Sequence, residues 1–338
     1  MTLGRSTDDA PTVVGLALMS PGIDRSADRP DFRTAALHLA DVLTGSSLVL
    51  LDEPAAGPRG ELGIDPLTVA AFLAPLLPGT SLVPTVECAY WEPFFAANLV
   101  ATLDHSSSGH AGWSPLVRAG ADAAARMGAT QLDASTLLDF EAEFVDAVRQ
   151  LWDSWEDDAV IKDGETGLFF DVPRLHHIDF VGTHLRTRGP GMTPRPPQGA
   201  VPTVMAVVGA GDPRLATALD LADVLRLPAS LVDDAVELAA LLLAVDSHPR
   251  ADRIALVATV VADDLELTDE VLRRRVADAS AHAELAAVVV DVGARAENLA
   301  TVVASGVLTA ATADAPTLRT LLGLPRPINR FTRMEVAS

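Results

Sequence analysis

Histidines, acids and glycines at close spacing are the first candidates for chemistry in this sequence. His176, His177, Asp179 and His184 fall within nine positions, and imidazole beside carboxylate could ligate a transition metal. Their spacing follows no metal-site rule and the surrounding segment reads as an irregular loop. They are assigned to turns and surface, and no metal is expected. His105 and His110 bracket a Ser-Ser-Ser-Gly turn and read as solvated loop residues. Val207-Val-Gly-Ala-Gly-Asp-Pro-Arg214 follows an apolar run and precedes a helical pattern, so its backbone N–H groups could hold a phosphate. A strand-to-helix turn needs glycine for its geometry in any case. Asp52 ends an apolar run, where it is either a working acid at the rim of a barrel or a turn and cap residue. No G-x-S-x-G elbow and no P-loop occurs. The single cysteine, Cys88, excludes an intrachain disulfide and any multi-cysteine metal site.

The elements that would have to position these residues alternate regularly. Strands are predicted at Val13–Met19, Ser47–Leu51, Ser81–Val86, Thr203–Val208, Ala222–Leu227, Arg253–Val261 and Leu285–Asp291. An eighth is predicted near His110–Val117, with Pro115 at its edge or end. The runs are continuously apolar rather than alternating, as strands covered on both faces are. Between them lie helical patterns at Arg33–Leu43, Pro66–Leu76, Glu92–Leu103, Leu137–Trp152, Val232–Val245 and Asp269–Ala283. Repeated βα units of this kind predict an α/β fold, a (β/α)8 TIM-type barrel in a single domain over residues 1–338. A doubly wound open sheet is the alternative, weakened by the absence of G-x-G-x-x-G after the first strand. Residues 153–199, rich in Asp, Gly, His and Pro, break the rhythm and read as an irregular insertion before the fifth strand, with room for a hairpin. The tryptophans of Leu151-Trp-Asp-Ser-Trp155 read as the packing end of a helix.

Composition narrows the partners. Asp and Glu number 46 against 25 Lys and Arg, so a formal charge of −21 offers no basic footprint for nucleic acid. The apolar fraction of 49% argues for a folded chain. The longest apolar stretches, ELAALLLAVD and RIALVATVVADD, fall far short of the roughly 20 residues a bilayer needs. A soluble, cytoplasmic protein is expected, with no membrane partner. Lys162 is the only lysine.

Longer motifs carry a resemblance. Ala101-Thr-Leu-Asp-His-Ser-Ser-Ser-Gly-His-Ala-Gly-Trp113, Leu151-Trp-Asp-Ser-Trp-Glu-Asp-Asp-Ala159, Arg188-Gly-Pro with Pro196-Pro-Gln-Gly199, and Thr317-Leu-Arg-Thr-Leu-Leu-Gly-Leu-Pro-Arg-Pro-Ile-Asn-Arg330 stand in order along the chain, together with Ile64-Asp-Pro-Leu67 and Trp91-Glu-Pro-Phe94. In these stretches the sequence resembles the flavin-dependent monooxygenases of the bacterial luciferase-like family, in the branch of the nitrilotriacetate and dibenzothiophene sulfone monooxygenases. The resemblance implies a barrel, usually dimeric, that binds FMN supplied in reduced form by a separate flavin reductase and oxidises a small organic substrate. The protein would contribute a dry, shaped pocket.

Carried over by position, the resemblance assigns Asp52, Cys88, Trp113, Ser114, Arg118, Val208, Gly209 and Ala210 to the cofactor. No side chain is assigned as an indispensable acid or base. Several family positions have changed. Ser114, Val117 and Arg118 stand where the family motif has Asn, Thr and Ser, and Leu137-Leu138 replace an Arg-Tyr pair. Ala206-Val-Val-Gly-Ala210 replaces a Gln-Ala-Gly-x-Ser turn, and Ile23 and Asp24 stand near the position of a missing histidine. Losing a hydrogen bond to a charged group costs about 1.5–3 kcal/mol, so several such losses would weaken FMN binding by orders of magnitude. Arg118 is the replacement that could compensate on a phosphate. The sequence is also shorter than typical members after the first and seventh strands, where the family carries its lid. Two readings follow: an FMN-dependent monooxygenase, or a degenerate barrel serving as partner subunit or ligand-binding protein. The assembly would be a homodimer or a heterodimer with a paralogue.

Overall fold

The computed structural model describes residues 13–19, 22–23, 32–52, 62–117, 134–262, 268–293, 296–311 and 317–332. In chain order, β1 (Val13–Met19), β2 (Gly22–Ile23), α1 (Phe32–Leu43), β3 (Leu48–Asp52) and β4 (Leu62–Gly63) come first. They are followed by α2 (Pro66–Leu73), β5 (Ser81–Glu87), α3 (Pro93–Ser106), β6 (Ser114–Leu116) and α4 (Ala134–Asp153). Next are β7 (Asp179–Val181), β8 (Arg186–Arg188), β9 (Val204–Ala206), α5 (Leu215–Leu221) and β10 (Val224–Pro228). The last are α6 (Ala229–Val232), α7 (Ala235–Asp246), β11 (Ala255–Val261), α8 (Asp269–Ser280), β12 (Leu285–Asp291), α9 (Ala296–Ser305) and α10 (Leu318–Leu321).

Eight strands form one parallel sheet in the order β6-β5-β3-β1-β12-β11-β10-β9. Its two ends meet: the Trp113 backbone N–H donates to the Pro202 carbonyl at 3.0 Å, and the Val204 N–H donates to the Trp113 carbonyl at 2.9 Å. The expected (β/α)8 barrel is therefore the observed one, and the insertion before its fifth strand carries the antiparallel hairpin β7–β8. Glu143 of α4 pins that hairpin by accepting the backbone N–H groups of Thr183 and His184 at 2.6 and 2.8 Å. The predicted helix Val232–Val245 is observed as α7, with Val232 ending the short helix α6 before it. Asp234 accepts the N–H groups of Val236 and Glu237 and restarts the chain as α7.

Alternate strand residues face two dry layers. Leu16, Leu51, Val86, Trp113, Phe144 and Val148 pack between sheet and helices, whereas Val13, Ala17, Leu50, Val83, Val257 and Val289 fill the lumen. The lumen is plugged from its N-terminal end by Leu318, Leu322 and Leu324 of the C-terminal segment. A Cβ on Gly112 would stand 2.9 Å from both Leu318 Cδ2 and Val83 Cγ2, so the plug requires glycine there.

Buried charge locks this end. Asp223 accepts from Arg149 and Arg319 at 3.2 Å each and from the Thr203 N–H at 3.0 Å, and it pairs with Arg250 at 3.5 Å. Burial pushes its carboxyl upward, but the guanidiniums of Arg319 and Arg149 overcome this and hold it below the ordinary range. Asp104 accepts from Gln198 Nε2 at 2.6 Å, and Gln198 Oε1 in turn accepts the Arg319 N–H at 2.9 Å. Outside the barrel, Arg195 bonds Asp153 and Asp157, Arg326 grips Asp157, and Asn329 donates to the Asp153 and Trp155 carbonyls.

Both locks are open to test. Asp223→Asn leaves three arginines without their counter-charge and is expected to lower unfolding stability by about 3–5 kcal/mol in urea titration; a loss below about 1 kcal/mol refutes the lock. Asp157, bonded first by Arg326 and then by Arg195, has its pKa lowered from 3.8 to about 2. An acid held below its unfolded value contributes stability above that value and loses it as pH falls through the folded one. The melting temperature of Asp157→Asn should therefore lie below wild type at neutral pH, and the gap should close as pH falls from 3.8 toward 2. A gap independent of pH overturns the assignment.

Candidate functional site

The C-terminal ends of the strands form the mouth of the barrel, where parallel β/α folds gather their ligands. Register defines which side chains meet there. Thr85 pairs with Ser114, Asp52 with Met19, and Asp291 with both Ala17 and Val261. Ser114 lies two residues from Gly112 and so shares its lumen-facing side. One row deeper, Arg226 pairs with Ala206 and Val257.

Arg226 organises this space. Its Nη1 donates to both Asp52 oxygens at 2.9 and 2.8 Å, and its Nε donates to Thr259 Oγ1 at 3.0 Å. Asp291 Oδ2 stands 3.6 Å from Nη2, beyond hydrogen-bond range, while Asp291 Oδ1 accepts the Gly293 N–H at 2.9 Å. Thr85 Oγ1 adds a 3.4 Å bond to Asp52. One guanidinium thus crosses the mouth from β10 and ties together carboxylates from β3 and β12. Beside it the strand ends carry apolar surface: Val208 is 74% exposed and Val261 is 51% exposed. A second pair, Arg214 with buried Glu141 of α4, closes at 2.9 and 3.0 Å. Burial raises the Glu141 carboxyl, and Arg214 partly opposes that rise.

The eight residues assigned from the sequence separate. Asp52 and Ser114 stand at the mouth. Trp113 faces the helix layer instead; its Nε1 donates to Thr203 at 3.2 Å and its ring meets Trp152 edge-on at 5.8 Å. Cys88 is buried, its thiol pushed well above the ordinary range first by desolvation and then by the charge of Glu141, and Sγ bonds the Val86 carbonyl at 3.6 Å. In the turn Val208–Ala210, the Val208 N–H already donates to Asp212 at 2.8 Å, and the same carboxylate takes the Arg214 N–H at 2.8 Å. Arg118 lies outside the described residues, as does Asp24. Of the histidines, His176 bonds Glu156 at 2.7 Å and stacks on Phe331 at 4.1 Å, and the His184 backbone serves the hairpin. Among the described residues no group of three His, Cys, Asp or Glu could hold a metal ion, and no helix is long and apolar enough to cross a membrane.

Sequence reading missed Arg226, Thr85, Thr259, Asp291 and Asp212. The signal for Arg226 was present: a lone charge inside the apolar run Val224-Leu-Arg-Leu-Pro228, with the parity of lumen residues. The bridge is testable by a double-mutant cycle. Asp52→Asn and Arg226→Met should show a coupling of about 1–3 kcal/mol in unfolding free energy, and additivity within about 0.5 kcal/mol would refute it.

Comparison with known proteins agrees with this architecture. The sequence profile described as luciferase-like monooxygenase matches residues 44–317. A dibenzothiophene-sulfone monooxygenase of Rhodococcus erythropolis is 34% identical over 144 residues, 42% of this chain and 32% of that protein. One of the component chains of pristinamycin IIA synthase from Streptomyces pristinaespiralis is 33% identical over 188 residues, 56% of this chain and 60% of that protein. The matched segment thus spans less than two thirds of either relative's length. The crystal structure of EDTA monooxygenase from Chelativorans sp. BNC1 superposes with a TM-score of 0.66 over 94% of this chain and 99% of that one; at 18% identity it shows the fold alone. With a profile match over most of its length and a parallel barrel beneath it, the chain belongs to the luciferase-like monooxygenase family.

Proposed function

We propose that this chain is an FMN-dependent monooxygenase of the two-component type, taking reduced FMN from a separate flavin reductase and oxidising a small organic molecule. The observation that carries the proposal is a cluster of polar side chains, Asp52, Thr85 and Arg226, at the barrel mouth in a chain of this family. The residues present suit the ring better than the phosphate. Asp52, Thr85 and Ser114, on the β3–β6 side of the mouth, offer acceptors and hydroxyls to a polar ring edge. For the phosphate, the guanidiniums of Arg226 and Arg214 are engaged by carboxylates, and Asp212 takes the Val208 N–H. Arg118, the sequence candidate for that role, is retained as the phosphate partner in this proposal.

Reduced flavin, when bound, supplies the electrons that activate oxygen. The chain's own residues have the tasks of orientation and shielding. Arg226 fixes the Asp52 carboxylate through two short bonds, so that its direction survives the approach of a ligand. Thr85 shares Asp52 Oδ1, and Ser114 extends the hydroxyl row. The dry layers of the barrel exclude water from below, and the plug of Leu318, Leu322 and Leu324 closes the far end.

A second reading is favoured by the engaged cations and by the relative that is one component of a synthase: a barrel without turnover, acting as the partner of an active paralogue or as a ligand-binding protein. In either case a homodimer or a heterodimer with a paralogue is proposed. Anaerobic titration with reduced FMN separates the two readings. The monooxygenase reading expects micromolar or tighter binding, weakened about tenfold or more by Asp52→Ala or Arg118→Ala. Failure to bind oxidised or reduced FMN, with the barrel folded, overturns it and leaves the partner reading.

A further inference from the structure

The mouth is chemically two-sided. On the β3–β6 side stand Asp52, Thr85 and Ser114. On the β9–β11 side Val208 and Val261 rise above Arg226, with Pro228 between them at the end of β10. Val261 pairs with Asp291, so an acid lies directly beside the apolar surface. The Oδ2 atom of that carboxylate stands 3.6 Å from Arg226, too far for a hydrogen bond to it. The bridge itself carries two carboxylates to one guanidinium, and Glu87, two residues beyond Thr85 in β5, is a further buried acid at this end of the lumen.

From this arrangement we infer that Asp291, with Val208 and Val261, determines substrate class: the mouth accepts an uncharged or cationic organic molecule with an apolar body and a hydrogen-bond-donating edge, and rejects carboxylates and other anions. The inference rests on the reading of the mouth as the substrate site. Its physical basis is direct. A donor edge aimed at Asp291 gains a charge-assisted bond while the body covers the exposed valines. An anion in the same place meets a like charge in a partly desolvated space, and Arg226 cannot turn to it without leaving Asp52 unpaired.

Three probes that share one ring isolate the charge: benzamidine, benzamide and benzoate, with binding to the full chain measured by ligand-observed NMR titration. Benzamidine should bind at least tenfold more tightly than benzoate, with benzamide between them. In Asp291→Asn the benzamidine advantage should shrink about fivefold or more. Val208→Lys provides a second variant at a surface position that folding tolerates; it should strengthen benzoate and weaken benzamidine. General attraction of a cation to an acidic protein would leave the order unchanged by a single substitution. The inference is overturned if benzoate binds as well as benzamidine, if the order survives both substitutions, or if none of the probes binds at millimolar concentration. Flavin titration reports separately: reduced FMN binding together with a preference for benzoate sinks only this inference. Absence of flavin binding together with a preference for benzamidine sinks only the monooxygenase reading.

Discussion

Asp223 holds the molecule together. A parallel barrel with helices outside has two dry layers, and charge away from the strand ends is costly unless it is paired. At the beginning of β10, one carboxylate collects Arg149 from α4, Arg319 from the C-terminal plug and Arg250 from the turn before β11, together with a backbone N–H from the segment leading into β9. Parts of the chain distant in sequence are thus fixed to one point at the closed end. The opposite end is held by a smaller device, Arg226 between Asp52 and Asp291, which links β10 to β3 and β12 across the mouth.

Much of the fold was legible because its strands announce themselves. Consecutive apolar residues, as in Leu48–Leu51 or Leu285–Val290, are what double-sided burial demands. The strands that blurred were β6 and β9, three residues each, whose neighbours pair only through single bridges at Ala111 and Trp113. The candidate site was less legible. Asp52 was visible as the acid at a strand end. Arg226 was not, because a charge within an apolar run reads as an imperfection of the strand until register shows which side it faces. Asp212 was hidden for a related reason: its role lies in two backbone N–H groups, which leave no trace in a pattern of side chains.

The motifs that carried the family resemblance act as architecture. Asp104, Gln198 and Arg319 come from three different motifs and meet in one hydrogen-bonded chain. Trp155 donates to the Gly191 carbonyl, Arg195 holds Asp153, and Asn329 closes on the same loop. These residues lie at or beside the closed end, away from the mouth. The positions where the sequence reading expects departures from the family lie elsewhere, at Ser114 on the mouth and in the turn at Val208. Recognition therefore reports how the barrel is built, and the mouth is free to differ. This is why kinship and chemistry have to be argued from different residues.

The plug has a consequence for biosynthesis. β1 pairs with β12, and the lumen is filled by leucines that lie beyond β12 in the chain. A nascent chain emerging from the ribosome can form its early βα units, yet cannot close the ring or dry its interior until the last segment is free. Until then the lumen-facing valines and the unpaired edge of β1 stand open to other chains. The interval between synthesis of β1 and arrival of Leu318 is the period in which apolar lumen surface and an open strand edge are most exposed to aggregation.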